Sequence, residues 1–433
     1  MSWSLALSAL TLVVVAGGLL VVSERLGWRP SLTTALLVAL VLRLAMFAIA
    51  WDRVLPYDLM LDFRVAGENV LEHQDLMLNA RERGWNYLPT YGFVMAGAVS
   101  VQELTGLPWV VVARIPAIGF DLGVVAVVHA LADKEKAGLR ALQYACTPIA
   151  VLVSAVHGQM EPLCLLLALG AFLALRSRPR VVLAGVLIGL AISVKTWPAL
   201  FLPALLLALP DWSARARMLA GAAAVGLVLL LTQPLTVGSP VRQLPATVAR
   251  ILSYHAPGGS WGWSSVVYAY SPYTAENYED STLWGIVGQV GSLLTLLAIV
   301  AAIWWWRRAD PLVVAGVTAS TFQIATAGHG AQYLTWPAPF MVLRPTRLVP
   351  LLQFGIGIWA WCAYFFAGGG LVPAEWSSWF IYAWQMSSLL LVVLFVLALP
   401  WRQRRRPAEG STEAAPSLGG YSARRTVGRR PGR

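Results

Sequence analysis

Acidic, basic and aromatic residues crowd into residues 52–91, a polar stretch between long apolar segments. Carboxylates in such a place can act as a general base towards a hydroxyl group. Asp62 is our leading candidate, because it opens a run in which apolar residues recur at helical spacing, and a helix N-terminus stabilises an ionised carboxylate. The alternative is that Asp62 only caps a helix at the membrane interface.

Three basic side chains could face this carboxylate. One lies within the same segment, and two lie further along the chain. Lys195 lies in a break between two short apolar runs. An ammonium group there could hold a phosphate as a point charge, or could simply reach towards the interface. Arg64 and Arg114 are further candidates for stabilising a phosphate. Arg114 is seven residues from Asp121 on one helix face, so each is expected to pair with the other or with neighbours.

The short segment 156–163 joins two apolar runs and brings together His157, Gln159 and Glu161. A loop that only reverses the chain rarely needs three such groups. We therefore expect these three residues to contact a substrate.

Aromatic and amide side chains supply the remaining candidates. Tyr87, Trp261, Gln332 and Tyr333 are expected to bind substrate, and His255 stands in the largest hydrophilic loop next to a pair of glycines. Such glycines give a loop the backbone freedom to close over a substrate. The alternatives are an aromatic belt at the level of the lipid head groups for Tyr87 and an interfacial cap for the loop that contains His255 and Trp261.

The elements that must position these residues are membrane helices. Of the 433 residues, 58% are hydrophobic and only 12% are charged. These are too few charges for a soluble surface of this size. With about 20 apolar residues needed per span, the sequence predicts an all-α, polytopic membrane protein of about thirteen spans. The predicted spans are 4–22, 31–51, 110–132, 143–157, 160–177, 181–194, 197–210, 216–234, 284–306, 311–327, 330–345, 349–366 and 379–400.

The distribution of Lys and Arg orients the chain, since short cytoplasmic loops collect these residues. If the C-terminal tail is cytoplasmic and 88–104 is an interfacial or re-entrant helix, all short basic loops fall on one side. The candidate site then faces the extracytoplasmic side. The inner loops contain Glu24, Arg25, Arg29, Lys134, Lys136, Arg140, Arg176, Arg178, Arg180, Arg215, Arg217, Arg307, Arg308, Arg344 and Arg347.

The net charge of +11 does not require a nucleic-acid partner, because nine of the 32 basic residues lie after Trp401 and many others lie in inner loops. Topology and attraction to anionic lipid account for most of it. We predict an extra N-terminal membrane helix in 1–30, a catalytic membrane module in 31–345, further membrane helices in 346–400, and a disordered basic tail in 401–433.

Several motifs in this order resemble the GT-C superfamily of glycosyltransferases, and most closely the bacterial glycosyltransferase family 87, which includes polyprenyl-phosphate-mannose mannosyltransferases. The motifs cover roughly residues 31–345. They are Asp62-Phe63 followed by A-G-x-N-V-L, W-N-Y-L-P at 85–89, H-G-Q-M-E at 157–161, A-G-V-L-I-G-L-A-I-S-V-K-T-W-P at 184–198, Tyr254-His255, and Q-Y-L-x-W at 332–336.

The resemblance implies a role for several of these residues. It makes Asp62 the base, with Asp58 as the alternative, and it makes Lys195 and His255 the groups near the donor phosphate. The sequence departs from the family pattern after His255, where Gly258 and Trp263 stand in place of an expected arginine and acid.

These observations together predict an inverting glycosyltransferase that moves a hexose, most simply mannose, from a polyprenyl-phosphate sugar to an extracytoplasmic glycolipid or polysaccharide. No Asp-x-Asp motif or carboxylate cluster calls for a metal, so no cofactor is predicted. The alternatives are a flippase or transporter of a lipid-linked sugar, and a scaffold subunit with a degenerate site. The sequence leaves the oligomeric state open.

Overall fold

The computed structural model describes residues 2–76, 85–176, 179–253, 262–272, 281–328, 330–367 and 377–403. Throughout these ranges the chain is helical or in connecting turns, and they contain no β-strand. The prediction of an all-α membrane protein is confirmed.

The helices of the described ranges follow the apolar runs of the sequence. The first ten are α1 (Trp3–Arg25), α2 (Leu32–Ala50), α3 (Phe63–Leu71), α4 (Thr90–Thr105), α5 (Trp109–Val112), α6 (Arg114–Leu131), α7 (Ala137–Ala145), α8 (Pro148–Leu152), α9 (Glu161–Arg176) and α10 (Val181–Val194). They continue as α11 (Leu202–Leu207), α12 (Trp212–Leu231), α13 (Gln233–Thr236), α14 (Leu244–Ser253), α15 (Ser264–Ala269), α16 (Thr282–Trp306), α17 (Pro311–Ala325), α18 (Ala338–Leu343), α19 (Val349–Trp361) and α20 (Ser377–Ala398). π-Helical turns occupy Asp58–Asp62, Val153–His157 and Cys362–Ala367, and 3-10 turns occupy Lys134–Lys136, Trp197–Phe201, Val241–Gln243 and Ala331–Thr335.

The predicted number of thirteen spans is not confirmed. In the described ranges, six helical stretches are long and apolar enough to cross a bilayer: Trp3–Arg25, Leu32–Ala50, Trp109–Leu131, Trp212–Leu231, Thr282–Trp306 and Val349–Phe366. A seventh is formed if Lys134–Ala145 and Pro148–His157, bent by 51° before Pro148, count as one span. The difference arises because central helices such as α10 and α17 are only 14 and 15 residues long.

Glycines let α10 and α12 pack backbone against backbone. A Cβ atom on Gly185 would lie 2.2 Å from the carbonyl oxygen of Met218, and one on Gly189 would lie 2.7 Å from that of Ala222. Close approach at small residues is the usual means by which membrane helices associate. This contact fixes α10, and with it Lys195, which directly follows the helix.

A charged pair lies inside the bundle between α2 and α6. The Arg43 guanidinium is 2.7 Å from the Asp121 carboxylate, and the Tyr144 hydroxyl donates to the same carboxylate at 2.7 Å. Arg43 and Asp121 are both fully buried. A buried charge in an apolar bundle needs such a partner, so Arg43 has a structural partner, and Asp121 pairs with Arg43 rather than with Arg114.

The directions of α2, α6 and α9 define two ends of the bundle. Asp58 and His157 lie where α2 ends and where α6 and α9 begin, which we call the Arg114 end. The opposite end, where α2 begins and α6 and α9 end, we call the His129 end. The helix α2 is 19 residues long. At the usual rise per residue it separates the two ends by about 28 Å, close to the thickness of a bilayer core.

The polar segment 52–91 is built of short helices. The π-helical turn Asp58–Asp62 leads into α3, as the helical spacing after Asp62 predicts. The helix α3 packs on α4, where a Cβ on Gly67 would be 2.8 Å from the Met95 backbone.

Two predictions about the chain's organisation are not tested by these helices. The helix α4 has 16 residues. A helix of this length spans about 24 Å, so the prediction that 88–104 lies at the interface remains a prediction. The predicted domain boundaries also remain predictions, and the tail beyond residue 403 lies outside the described residues.

Candidate active site

Arg114 joins the segments that form the site. Its guanidinium donates to the carbonyl oxygens of Trp51, Val54, Val110 and Val156 at 2.6 to 3.0 Å, and the residue is fully buried. These carbonyls belong to the end of α2, the loop before Asp58, α5, and the turn before His157. Arg114 therefore holds together the segments that carry Asp58 and His157.

Gly158 allows the His157 turn to approach this arginine. Its φ is +71°, and a Cβ atom there would lie 2.8 Å from the Cγ of Arg114 and 3.2 Å from Leu59. A side chain at this position would be strained in conformation and would also push against both neighbours. The glycine in the H-G-Q-M-E motif therefore serves to bring His157 close to the Asp58 turn.

Asp58 is the centre of a hydrogen-bonded polar cluster. Its carboxylate is 2.9 Å from Nε2 of His157 and also accepts a hydrogen bond from the Gln159 amide. Nδ1 of His157 is 2.8 Å from the Tyr364 hydroxyl, in the π-helical turn after α19. The Asp58 side chain keeps 29% of its exposure, so a substrate hydroxyl can still reach it.

The charges around Asp58 keep it ionised. Burial by itself would raise the pKa of this carboxyl. The charge and hydrogen bond of His157, the charge of Lys195 and the backbone N–H of Leu59 nevertheless hold the pKa below its ordinary value of 3.8. The cluster therefore presents a carboxylate, able to accept a proton, at neutral pH.

Lys195 is held beside this cluster by a buried carboxylate. Its Nζ is 2.6 Å from Oε1 of Glu161, and the two side chains are 7% and 0% exposed. The rings of Tyr87 and Tyr333 lie 5.9 and 5.2 Å from the same ammonium group. The aromatic faces favour a cation at this position, so the lysine is fixed with its charge kept.

Lys195 lines a cavity of about 470 Å³. Its walls combine aromatic side chains, among them Tyr87 and Tyr333 beside Lys195, with aliphatic and small ones. The cavity runs between the Lys195 turn and α16 and is lined by Tyr87, Lys195, Thr196, Trp197, Ala199, Leu200, Pro203, Gly288, Gly291, Ser292, Thr295, Leu296, Ile299, Phe322, Thr326, Ala327, Tyr333 and Trp336. Leu296 is 59% exposed on the outside of α16, so this cavity continues to the apolar surface of the bundle.

Two tryptophans stack in the wall of this cavity. The rings of Trp197 and Trp336 are 4.3 Å apart and nearly parallel, and Tyr333 stacks on the other side of Trp336 at 4.4 Å. Neither indole N–H finds a hydrogen-bond partner in the part of the chain that the structure describes. Buried donors ordinarily have one, so each indole keeps an unused donor.

Most of the residues predicted from the sequence come together here. Asp58, His157 and Gln159 form the carboxylate cluster, and Lys195, paired with Glu161, lines the cavity together with Tyr87 and Tyr333. The predictions for His255 and Trp261 fall outside the described residues.

The other predicted residues lie apart from these contacts or have additional partners. Arg64 forms a half-exposed pair with Glu68 at 2.8 Å, and Gln332 lies beside the backbone of Gly330. The Arg114 guanidinium donates to backbone carbonyls, which gives this residue a structural role. Its predicted contact with a phosphate remains a prediction. Asp62 is 9% exposed and makes no capping hydrogen bond to α3, in contrast to the capping alternative.

Sequence reasoning missed the contribution of α16 and of Tyr364. On α16, Gly288, Gly291 and Thr295 line the cavity. They recur at spacings of three and four and so form one face of small residues. That periodicity is visible in G-Q-V-G-S-L-L-T. Tyr364 is 207 residues from His157 and has no local pattern that would connect the two.

The fold and the site define a multispan, all-α membrane protein with an ionised carboxylate and with a buried lysine that lines an aromatic and aliphatic cavity. The model of glycosyltransferase family 87 matches residues 85–327, more than half of the chain. The chain belongs to glycosyltransferase family 87, and it is therefore a glycosyltransferase. A search of curated proteins found no match.

The matched range contains His157, Gln159, Glu161 and Lys195. Asp58 lies before this range but contacts two of these residues. Among the described residues, His, Cys, Asp and Glu form no group of three that could hold a metal ion.

Proposed function

We propose that this protein transfers a hexose, mannose in the simplest case, from a polyprenyl-phosphate sugar to an extracytoplasmic glycolipid or polysaccharide, with inversion at the anomeric carbon. The observation that carries the proposal is the cavity at Lys195, which combines a fixed cation with aliphatic side chains and extends to Leu296 on the exposed side of α16. A donor of this class has a phosphate at one end and an isoprenoid chain at the other.

The aliphatic part of the cavity suits the isoprenoid chain. Leu200, Pro203, Leu296 and Ile299 line it, and Gly288, where a Cβ would meet nothing within 4 Å, leaves its width open. Because the cavity continues to the outside of α16, a chain bound there remains in contact with lipid. Most of the isoprenoid need not leave the bilayer.

The polar end suits the phosphate. Lys195 supplies a positive charge in a poorly hydrated place, where a charge acts more strongly than in water. This charge would stabilise the negative charge that develops on the phosphate as the sugar leaves.

Asp58 is the base that this arrangement favours. Its carboxylate takes the proton of the acceptor hydroxyl while that oxygen attacks the anomeric carbon, and the bond from this carbon to the phosphate oxygen breaks. Polyprenyl phosphate is the leaving group. A single displacement on the face opposite the phosphate inverts the anomeric configuration. Asp62, the leading candidate from the sequence, stays as the alternative base.

Catalysis by the purified protein tests this proposal. The protein in detergent is mixed with synthetic polyprenyl-phosphate mannose and a membrane lipid extract as acceptor pool, and the products are followed by mass spectrometry. We expect release of polyprenyl phosphate together with a lipid product heavier by one hexose. Absence of both in detergent, with uptake of the donor across a sealed bilayer, would instead establish a flippase.

The width of the cavity at α16 offers a prediction about donor binding. A Cβ on Gly288 would meet nothing within 4 Å, and the residue lines the cavity. Gly288→Leu is therefore expected to fold and to raise the KM for a long-chain donor about tenfold or more, since the added side chain takes the space of a few methylene groups of the donor, each contributing about 0.8 kcal/mol. The KM is measured with donors of long and short isoprenoid chain.

Gly285→Leu is the matched control for this variant. Gly285 lies on the same helix, has equally open space around it and does not line the cavity. The KM of this control should stay near that of the wild type. An equal rise in KM for both variants, or a rise that is independent of donor chain length, would place the isoprenoid elsewhere.

The acidity of Asp58 predicts the pH dependence of transfer. Its pKa lies below 3.8. We therefore expect kcat/KM to show no loss from this group between about pH 5 and pH 8. The same lowered pKa favours the folded protein above the carboxyl pKa of the unfolded chain, and this contribution is lost as the pH falls through the folded pKa.

His157→Gln keeps a hydrogen-bond donor but removes the charge that lowers the pKa of Asp58. The acidic limb of kcat/KM is therefore expected to move to higher pH in this variant. The full pH profile of wild type and variant measures the shift. An acidic limb that does not move would show that His157 does not control the ionisation of the base.

A further inference from the structure

A second cavity, of about 740 Å³, lies at the His129 end of the bundle. Its walls come from the loop between α1 and α2, the C-terminal end of α6, the start of α7 and the C-terminal end of α9. Arg29, His129, Lys134 and Arg176 line it, together with one carboxylate, that of Glu135. Its volume lies in the range of cavities that hold small ligands, about 300 to 1,000 Å³.

The cationic groups of this cavity are not neutralised within the described part of the chain. Arg29, His129 and Lys134 make no ion pair or side-chain hydrogen bond to any described residue, and Glu135 likewise has no partner there. Three side chains that are charged at neutral pH, those of Arg29, Lys134 and Arg176, thus line the cavity together with one carboxylate, that of Glu135. This excess of positive charge favours an anion.

Arg176 is held in place beside these groups. Its guanidinium donates to the carbonyl oxygens of Ala130 and, at 3.0 Å, of Ala132, at the C-terminal end of α6. The helix end is thereby closed by a cation, which complements the negative end of the helix dipole. The arginine has a fixed direction in the wall of the cavity.

The walls themselves are fixed by close packing and by hydrogen bonds. A Cβ on Gly138 would lie 1.8 Å from the carbonyl oxygen of Pro30, so α7 touches the backbone of the α1–α2 loop directly. Glu24 accepts from Arg140 at 2.5 Å and from Gln143 at 2.7 Å, which joins the end of α1 to α7. The cavity is therefore a built feature of the bundle and not a gap between loose loops.

This cavity and the Asp58 cluster lie at opposite ends of α2, α6 and α9. The length of α2 places them about one bilayer thickness apart. The second cavity therefore faces the other leaflet and its water layer. A molecule bound there does not compete with the sugar donor for space.

We propose that this cavity binds the phosphate group of an anionic ligand on the membrane face opposite the Asp58 cluster. Arginine and lysine side chains in a cavity between membrane helices are the groups that recognise phosphate at this level. The volume admits a phosphate with a polar substituent. The source is either the head group of an anionic phospholipid or a soluble phosphate ester.

The test is a binding measurement on the full-length protein in non-ionic detergent, and it does not depend on glycosyl transfer. Native mass spectrometry counts retained molecules of phosphatidylglycerol and of phosphatidylcholine, and calorimetry measures binding of inorganic phosphate. The cavity variant is Arg29→Gln with Lys134→Gln, since both side chains are exposed and neither closes a helix end. The matched control is Arg308→Gln with Arg347→Gln, two exposed arginines on the same face that do not line the cavity.

We expect the wild type to retain phosphatidylglycerol in preference to phosphatidylcholine, and the cavity variant to lose about thirtyfold in affinity, from two cations near an anionic surface. The control should keep the wild-type affinity. Binding of inorganic phosphate with the same pattern among the variants would support the site with a soluble ligand. Equal affinities of wild type and cavity variant for both probes, or an equal loss in the control, would overturn the proposal.

Discussion

Asp58→Asn is expected to lower the turnover of glycosyl transfer by about 100-fold to 10,000-fold, the usual contribution of a general base. The amide keeps an oxygen that can accept the hydrogen bond of Gln159, so the cluster should stay assembled. The proton of the acceptor hydroxyl then has no carboxylate to receive it. Initial rates at saturating donor, normalised to the amount of folded protein, measure the effect.

Asp62→Asn is the comparison that makes this result decisive. Asp62 lies four residues further along, at the end of the same π-helical turn. If Asp62→Asn abolishes transfer while Asp58→Asn leaves it near the wild-type rate, the sequence-based choice of Asp62 is right and our choice of base is wrong. A large loss in both would indicate that the two carboxylates act together.

Lys195→Met is expected to lower kcat/KM for the donor by about 100-fold to 1,000-fold, because a preorganised group that stabilises the leaving phosphate is lost. Methionine fills similar space without charge. The substitution also leaves Glu161, which is fully buried, with an unpaired charge. Breaking a buried pair in this way costs about 3 to 5 kcal/mol of stability, so the single variant should also unfold at lower temperature.

The double variant Lys195→Met with Glu161→Gln separates the two effects. Neutralising Glu161 removes the unpaired charge, so the thermal stability in detergent should return towards that of the wild type. The loss of kcat/KM should persist. Recovery of transfer together with stability would show that Lys195 serves only as the partner of Glu161.

Apolar runs in the sequence were enough to predict where the helices lie, but not how many cross the membrane. The prediction 31–51 corresponds to α2 within one residue at each end, and 181–194 matches α10. The run 143–157 contains Pro148, which begins a new helix at a 51° bend. Whether a short, bent or buried helix crosses the bilayer depends on its neighbours, and periodicity in one segment does not contain that information.

Part of the candidate site could also be predicted from the sequence. His157, Gln159, Glu161 and Lys195 stand out because polar groups are costly between apolar runs. Choosing between Asp58 and Asp62 was beyond the sequence, since residues four apart share one face of an α-helix. The structure has a π-helical turn at this point, and Asp58 is the residue that contacts His157 and Gln159.

The role of Arg114 could not be predicted from the sequence. Its charge in an apolar segment suggested a ligand for phosphate, whereas the structure uses its donors for four backbone carbonyls. These carbonyls come from segments up to 63 residues away. Which backbone groups are left without partners at helix ends is a property of the assembled bundle, so the sequence alone could not reveal this use.

The Arg43–Asp121 pair has a consequence for how the chain enters the membrane. Arg43 is synthesised 78 residues before its carboxylate partner. An arginine near the centre of a lone helix costs about 2.5 to 3.5 kcal/mol on insertion. The apolar residues of α2 offset this cost, so the helix can enter the bilayer before α6 is made. The cost of Arg43 is then relieved when α6 brings Asp121 to it, so the pair favours the packing of α6 against α2 in lipid.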